Sequence, residues 1–332
     1  MLSRVADSIY WMSRYVERAE NVARFISVNL NLSLDMPGEA GQQWWPLVVI
    51  TGDDAAFQKR IGKTTKETVV QFLTFDADNP NSILSCLRAA RENARNVREI
   101  ISAEMWAHIN KFYLMVRDGG TLEAVLDNPY EFYDRVNLSG QQFLGVTDAT
   151  MTHGEAWHFC QLGRMIERAD KTSRILDVKY FILLPRPTDV GTPYDDIQWL
   201  ALLRSASALE MYRQRHGRIS PVNVVNFLVL DREFPRAVLH CLTRANESLH
   251  AISGTPPGSF TNSAEQRLGQ LRAELAYTHA EDVVSGGLHE FIDDFQRRLN
   301  AVGDGIHESF FALRPFEPIA TGRQTQSQYT RW

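Results

Sequence analysis

Arg14 to Val28 reads RYVERAENVARFISV, and Arg164 to Val178 reads RMIERADKTSRILDV. Across this offset of 150 residues, Arg14, Glu17, Arg18, Ala19, Arg24 and Val28 return as Arg164, Glu167, Arg168, Ala169, Arg174 and Val178. Glu20 returns as Asp170, and Val16 as Ile166. A second match follows in the same order. Val69 to Glu92, VVQFLTFDADNPNSILSCLRAARE, and Val224 to Glu247, VVNFLVLDREFPRAVLHCLTRANE, are identical at 11 of 24 positions. A weaker echo pairs Glu131-Phe132 and Asp134 with Glu290-Phe291 and Asp293. Collinear matches with a slowly growing offset indicate a duplicated helical unit, and the period is too long for a solenoid array.

The expected fold is all-α: a duplicated helical bundle of two tandem units with long helices, related by a pseudo-two-fold axis. Unit one covers about residues 1–148 and unit two about 149–315, sharing one core as a single domain over 1–317; residues 318–332 read as a polar tail. Met1 to Met36 lacks Pro and Gly and stops at Pro37-Gly38. Its counterpart, from Ala149 to Leu184, stops at Pro185 and Pro187, since proline cannot continue the hydrogen-bond ladder. Asn81 to Asp118 reads as one helix closed by Gly119-Gly120. Trp199 to Gly217, Pro221 to Leu230 and Leu288 to Leu313 supply the rest. Pro80 and Pro235 suit first helical turns, with Asp76 and Asp231 as caps. Loops are expected at Pro37–Gln43, Pro185–Pro193 and Ser253–Ser263.

In the first motif Tyr15, Val16, Ala19, Val22, Ala23 and Ile26 form an apolar stripe at helical spacing. Glu17 and Arg24, seven apart, lie nearly in line, with Asn21 between them and Arg14 and Arg18 on the adjoining edge. Exposed Glu–Arg pairs contribute only about 0.3–0.5 kcal/mol, too little to hold four charges alike in two otherwise diverged units. The glutamates and the arginines that follow them are therefore expected between helices. There they act either as a structural clasp or, with arginines in local excess, as a site for an anion or partner. A glutamate flanked by arginines has a lowered pKa and makes a poor general acid.

SIYWMSRYVERAENVAR at Ser8–Arg24 and LGRMIERADKTSR at Leu162–Arg174 closely resemble the alpha-E domain family, over about residues 1–315. That bacterial family is helical with a recurring Glu-Arg motif. The resemblance implies an accessory partner of a circularly permuted ATP-grasp protein, often beside a transglutaminase-like peptidase, in a setting of amide- or peptide-bond synthesis. It carries over Arg14, Glu17, Arg18, Arg24, Arg164, Glu167, Arg168 and Arg174 as motif residues without assigning them a role, and it implies no cofactor. The alternative function is a small-molecule or peptide-binding enzyme whose pocket lies between the units. Self-association into a homo-oligomer is a third possibility.

The rest of the chain narrows the choice. It has 332 residues, 44% hydrophobic and 23% charged, with a net charge of −5. That balance suits a globular protein and lacks the basic excess of a general nucleic-acid binder. No apolar run reaches the ~18 residues of a membrane helix, and the N-terminus lacks the pattern of a secretory signal, so a cytoplasmic location is expected. Cys86, Cys160 and Cys241 have apolar neighbours and no CxxC pairing, which favours burial over zinc or catalysis. The tryptophans read as core or interface. Arg88, Arg91, Arg95 and Arg98 form a stripe peculiar to unit one, either a docking surface or a solvated face balanced by Glu92, Glu99 and Glu104. His153, Glu155 and His158 lack the spacing of a helical metal site. No phosphate-binding glycine loop or nucleophilic triad can be assembled.

Overall fold

Two long helices lie side by side and organise everything else. The computed structural model describes residues 1–35, 44–181 and 193–312; the expected stops at Pro37-Gly38 and Pro185/Pro187, the loops there and the tail from 318 lie outside the described residues. In the first half α1 is Ser3–Asp35, α2 Trp45–Thr51, α3 Asp54–Arg60, α4 Lys66–Thr74, α5 Ile83–Asn96, α6 Ala103–Asp118, α7 Leu122–Asp127 and α8 Pro129–Thr150. In the second, α9 is Glu155–Phe181, α10 Pro193–Ser205, α11 Leu209–Arg215, α12 Pro221–Val225, α13 Val238–Ser253, α14 Ser263–Ala276, α15 Ala280–Gly286 and α16 Leu288–Ile306. π-helical turns occupy Asn226–Leu230 and His307–Phe311. Among the described residues there is no strand, and no helix is long and apolar enough to cross a membrane.

Helices α1 and α9 run parallel and in register. The Met1 amine meets Glu155, and the Tyr10 carbonyl lies against Gly163. An ideal Cβ on Gly163 would sit 2.3 Å from that carbonyl oxygen, so only glycine permits this approach. Helix α5 packs on α1 and α13 packs on α9; α8 and α16 flank the same pair. The shorter helices cross over: α2 lies against α9, and α10 against α1. The apolar stripe, with Val16, Ala19, Val22, Ala23 and Ile26 all buried, joins one hydrophobic core that runs through the described chain.

Several boundaries differ from the sequence expectation. Asn81–Asp118 is two helices, because Val97 and Ile101 turn inward and Ser102 accepts from the Met105 N–H to start α6. Helix α8 runs through Ala149 to Thr150, so the second long helix starts only at Glu155. Trp199–Gly217 is broken at Ser207, and Leu288–Leu313 passes into a π turn after Ile306. Pro80 and Pro235 precede their helices by a turn. Ser82 caps α5, whereas Asp76 and Asp231 instead accept backbone N–H groups inside the preceding turns.

Residues 155 apart make like contacts at these turns. Arg60 pairs with Asp76 and Asp78 and lies over the Phe72 ring; Arg215 pairs with Asp231 and Glu233 and lies over Phe227. Gly52 after α2 and Ser207 after α10 both adopt positive φ, 78° and 50°. Ser207 is the one non-glycine residue in that region among those described, a placement costing about 1–2 kcal/mol. Its hydroxyl accepts a hydrogen bond from Arg24. Ser207→Ala keeps the strain and loses the bond, so urea unfolding should register a loss of about 1–3 kcal/mol. Ser207→Gly exchanges the bond for relief of strain and should lie closer to the parent. If alanine proves the better tolerated, this balance is wrong.

Candidate functional site

The helical spacing that places Glu17 and Arg18 on neighbouring edges of α1 does the same for Glu167 and Arg168 on α9, and the parallel register brings the two sets face to face. The pairs cross. Arg18 binds Glu167 through two nitrogens, Nε to Oε1 at 2.6 Å and Nη2 to Oε2 at 3.0 Å. Arg168 binds Glu17 in the same two-pronged way, at 2.9 and 2.8 Å. Glu17 is 2% exposed and Glu167 0%. Each glutamate thus finds its main partner on the opposite long helix, not on the arginine seven residues along. Arg24 and Arg174 turn instead to Glu20 and Asp170, one turn back on their own helices.

Four further residues complete the network without belonging to the motif. Arg236, just before α13, reaches Glu17 at 3.0 Å and Glu20 at 2.7 Å. Lys171 serves Glu167 at 3.5 Å and Asp170 at 3.1 Å. Asn21 donates to Glu17, and Asn81 accepts from Arg18 while donating to Asp53. The sequence held a signal for them. Asn21 lies 150 residues before Lys171, and Asn81 lies 155 before Arg236. In one cluster the extra cation comes from the α13 side, in the other from the long helix, and an asparagine fills the vacated position each time.

Both glutamates are sealed from solvent. Arg14 donates Nε to Glu167 and Nη1 to the Tyr10 hydroxyl, with its guanidinium 4.8 Å from the Trp11 ring centre. Arg164, 150 residues later, has no carboxylate partner among the described residues and donates to Gln161. Burial opposes ionisation of Glu17, but Arg168 and Arg236 outweigh it and hold the carboxyl well below the carboxylate range. Against the cost of burial, Arg18, Lys171 and Arg14 do the same for Glu167, and Lys171 and Arg174 lower the Asp170 carboxyl. Burial, reinforced by Arg236, brings the Arg24 guanidinium down to about 10; burial and Arg168 do so for Arg164. Seven cations share four carboxylates in these pairs.

An acid response follows. Because the three carboxyls titrate lower in the folded chain than their ordinary values of 4.5 for glutamate and 3.8 for aspartate, the unfolded chain binds more protons in acid. Their contribution is fully present above about pH 5 and is lost as pH falls through the folded values. The urea midpoint should hold steady near neutrality and fall below about pH 4.5. Glu167→Gln should fall less steeply; equal slopes would remove Glu167 from the account.

The other sequence candidates separate. Arg88 bonds the Ala77 carbonyl, Arg91 bonds Asn110 and Glu92, and Arg95 pairs with Glu92. Arg98 lies in the turn between α5 and α6, over Trp106. The four do not share one helix. His153 stacks on Trp157 and Glu155 holds the Met1 amine, while no three candidate ligands come together among the described residues. Cys86, Cys160 and Cys241 are buried, which pushes their thiols up to about 12, 11 and 12.

The Alpha-E family, described as a predicted alpha-helical domain with a conserved ER motif, matches residues 1–311. The chain belongs to the Alpha-E family. Glu-Arg stands in this sequence at Glu17-Arg18 and at Glu167-Arg168, the residues of the crossed pairs. The chain is also similar to uncharacterized proteins of Mycobacterium bovis and Mycobacterium tuberculosis, 24% identical over 97% of this chain. The chain spans 37% of the length of these relatives. No solved structure matches it.

Proposed function

We propose that this Alpha-E chain is a non-enzymatic helical partner, an accessory subunit of a circularly permuted ATP-grasp protein that forms amide or peptide bonds. In this reading the chain is a duplicated bundle in which α1–α8 and α9–α16 are related by a pseudo-two-fold axis along the paired long helices. The Glu-Arg motifs are the clasp between the halves. The observation that carries it is the crossed pairing: Glu17 and Glu167 are consumed by arginines of the opposite half. Carboxylates so held lack the protonated form a general acid needs, and thiols raised by burial are poor nucleophiles at neutral pH.

The family resemblance supplies the class of partner, with a transglutaminase-like peptidase as a further member and peptide modification as the process; the cytoplasmic setting in this reading comes from the sequence pattern of the N-terminus. The relatives' extra length supports the idea of partnership, since in them the matched region is joined to a much longer polypeptide. Co-expression with an ATP-grasp protein encoded beside this chain, followed by size-exclusion chromatography and an assay of ATP turnover, tests the reading. A co-eluting complex with altered turnover is expected. Separate elution together with unchanged turnover would sink it. Arg88→Glu with Arg95→Glu, both on the exposed side of α5, tests whether the arginines of the first half contribute to docking.

A further inference from the structure

A cleft of about 410 Å³ opens where α1, α9, α16 and the π turn His307–Phe311 meet. That volume lies in the range of small-molecule sites, and π turns recur at such sites. Its walls combine three kinds of chemistry. Tyr10, Trp11, Phe311 and Leu299 give an aromatic and apolar surface. Asp304 supplies a carboxylate on α16, and Asp170 on α9 a second one that Lys171 and Arg174 already hold. Arg14 supplies a guanidinium fixed in place by Glu167, Tyr10 and the Trp11 ring, and its Nη2 donates to no group among the described residues. Arg14 also shares Glu167 with Arg18 and Lys171, so its charge is only partly neutralised from the protein side.

The cleft has a floor that glycine keeps open. A Cβ on Gly303 would meet nothing within 4 Å. In the first half, 159 residues earlier, the same position is Leu144, packed against the core. Position 303 thus leaves space where position 144 carries a side chain.

We propose that this cleft binds an α-amino acid or the carboxyl end of a short peptide bearing an apolar side chain. Its carboxylate meets Arg14 Nη2, the ammonium of a free amino acid meets Asp304, and the side chain rests on Trp11, Phe311 and Leu299. This stands independently of the ATP-grasp partnership and needs no second protein to be tested.

Isothermal titration of the full chain with L-phenylalanine, Ala-Phe and L-phenylalaninamide reads it out. At least one of the two acids should bind saturably, with a dissociation constant on the order of 0.1–1 mM for a ligand of this size. The amide should bind at least about tenfold more weakly, the fold-change set by losing one charge-assisted hydrogen bond. Tighter binding of phenylalanine marks the free amino acid, and tighter binding of Ala-Phe marks the peptide end. Gly303→Leu should abolish binding without lowering the melting temperature, because leucine replaces glycine in a helix with open space before it. The proposal is overturned if neither acid binds saturably up to about 10 mM, if the amide binds as well as the acid, or if a folded Gly303→Leu binds unchanged.

Discussion

Glu167→Gln should lower the free energy of unfolding by about 3–5 kcal/mol, the cost of leaving buried charges without their counter-ion. Glutamine nearly matches glutamate in shape, so packing is preserved and the loss is electrostatic. Arg14 and Arg18 lose the carboxylate they share, and Lys171 keeps only Asp170. Against a typical total of 5–15 kcal/mol this is a large fraction, and the urea midpoint should fall accordingly with an unchanged slope. Glu17→Gln should fall in the same direction, with Arg236 still held by Glu20. Replacing Arg18 as well as Glu167 with glutamine should recover part of the deficit, since the charge left stranded is then removed. A loss under about 1 kcal/mol would class these pairs with exposed ones and end the clasp interpretation.

Gly163→Ala is expected to cost about 3 kcal/mol, at the upper end for overpacking a well-filled contact. The new methyl would stand 2.3 Å from the Tyr10 carbonyl oxygen and 3.1 Å from its carbon. Backbone cannot step aside there as a side chain would. Relief requires α1 and α9 to separate, and that stretches the two-pronged bonds one turn further along. Helix propensity works the other way, favouring alanine by about 0.5–1 kcal/mol. Gly145→Ala in α8 isolates that opposing effect: its Cβ meets nothing within 4 Å, so stability should rise by about that amount. Thermal or urea unfolding of the two variants should move in opposite directions. A neutral Gly163→Ala would mean that the long helices are not in such close contact.

The helical class was readable because the apolar stripe of α1 and the recurrence of four charges 150 residues apart are properties of the chain itself. Partner choice was not. Glu17 and Arg24 fall in line on one helix, yet the register of α1 against α9 gives Glu17 to Arg168, a fact that exists only once two helices are packed. Arg236 and Lys171 were hidden because an asparagine stands 155 and 150 residues before them; recurrence highlights sameness, and these positions differ. The break between α5 and α6 was invisible for a similar reason. No Pro or Gly marks it, and Ser102 becomes a cap only because burial of Val97 and Ile101 bends the chain just before it.

Crossed pairing also governs when the molecule can be finished during its manufacture. Glu17 is translated early, but Arg168 and Arg236 emerge from the ribosome some 150 and 220 residues later. Until then Glu17 lacks the arginines that hold it in the finished interior, and the first long helix must keep that carboxylate hydrated. Final consolidation therefore waits for the second half of the chain, is dominated by contacts distant in sequence, and is slow relative to bundles built from neighbouring hairpins.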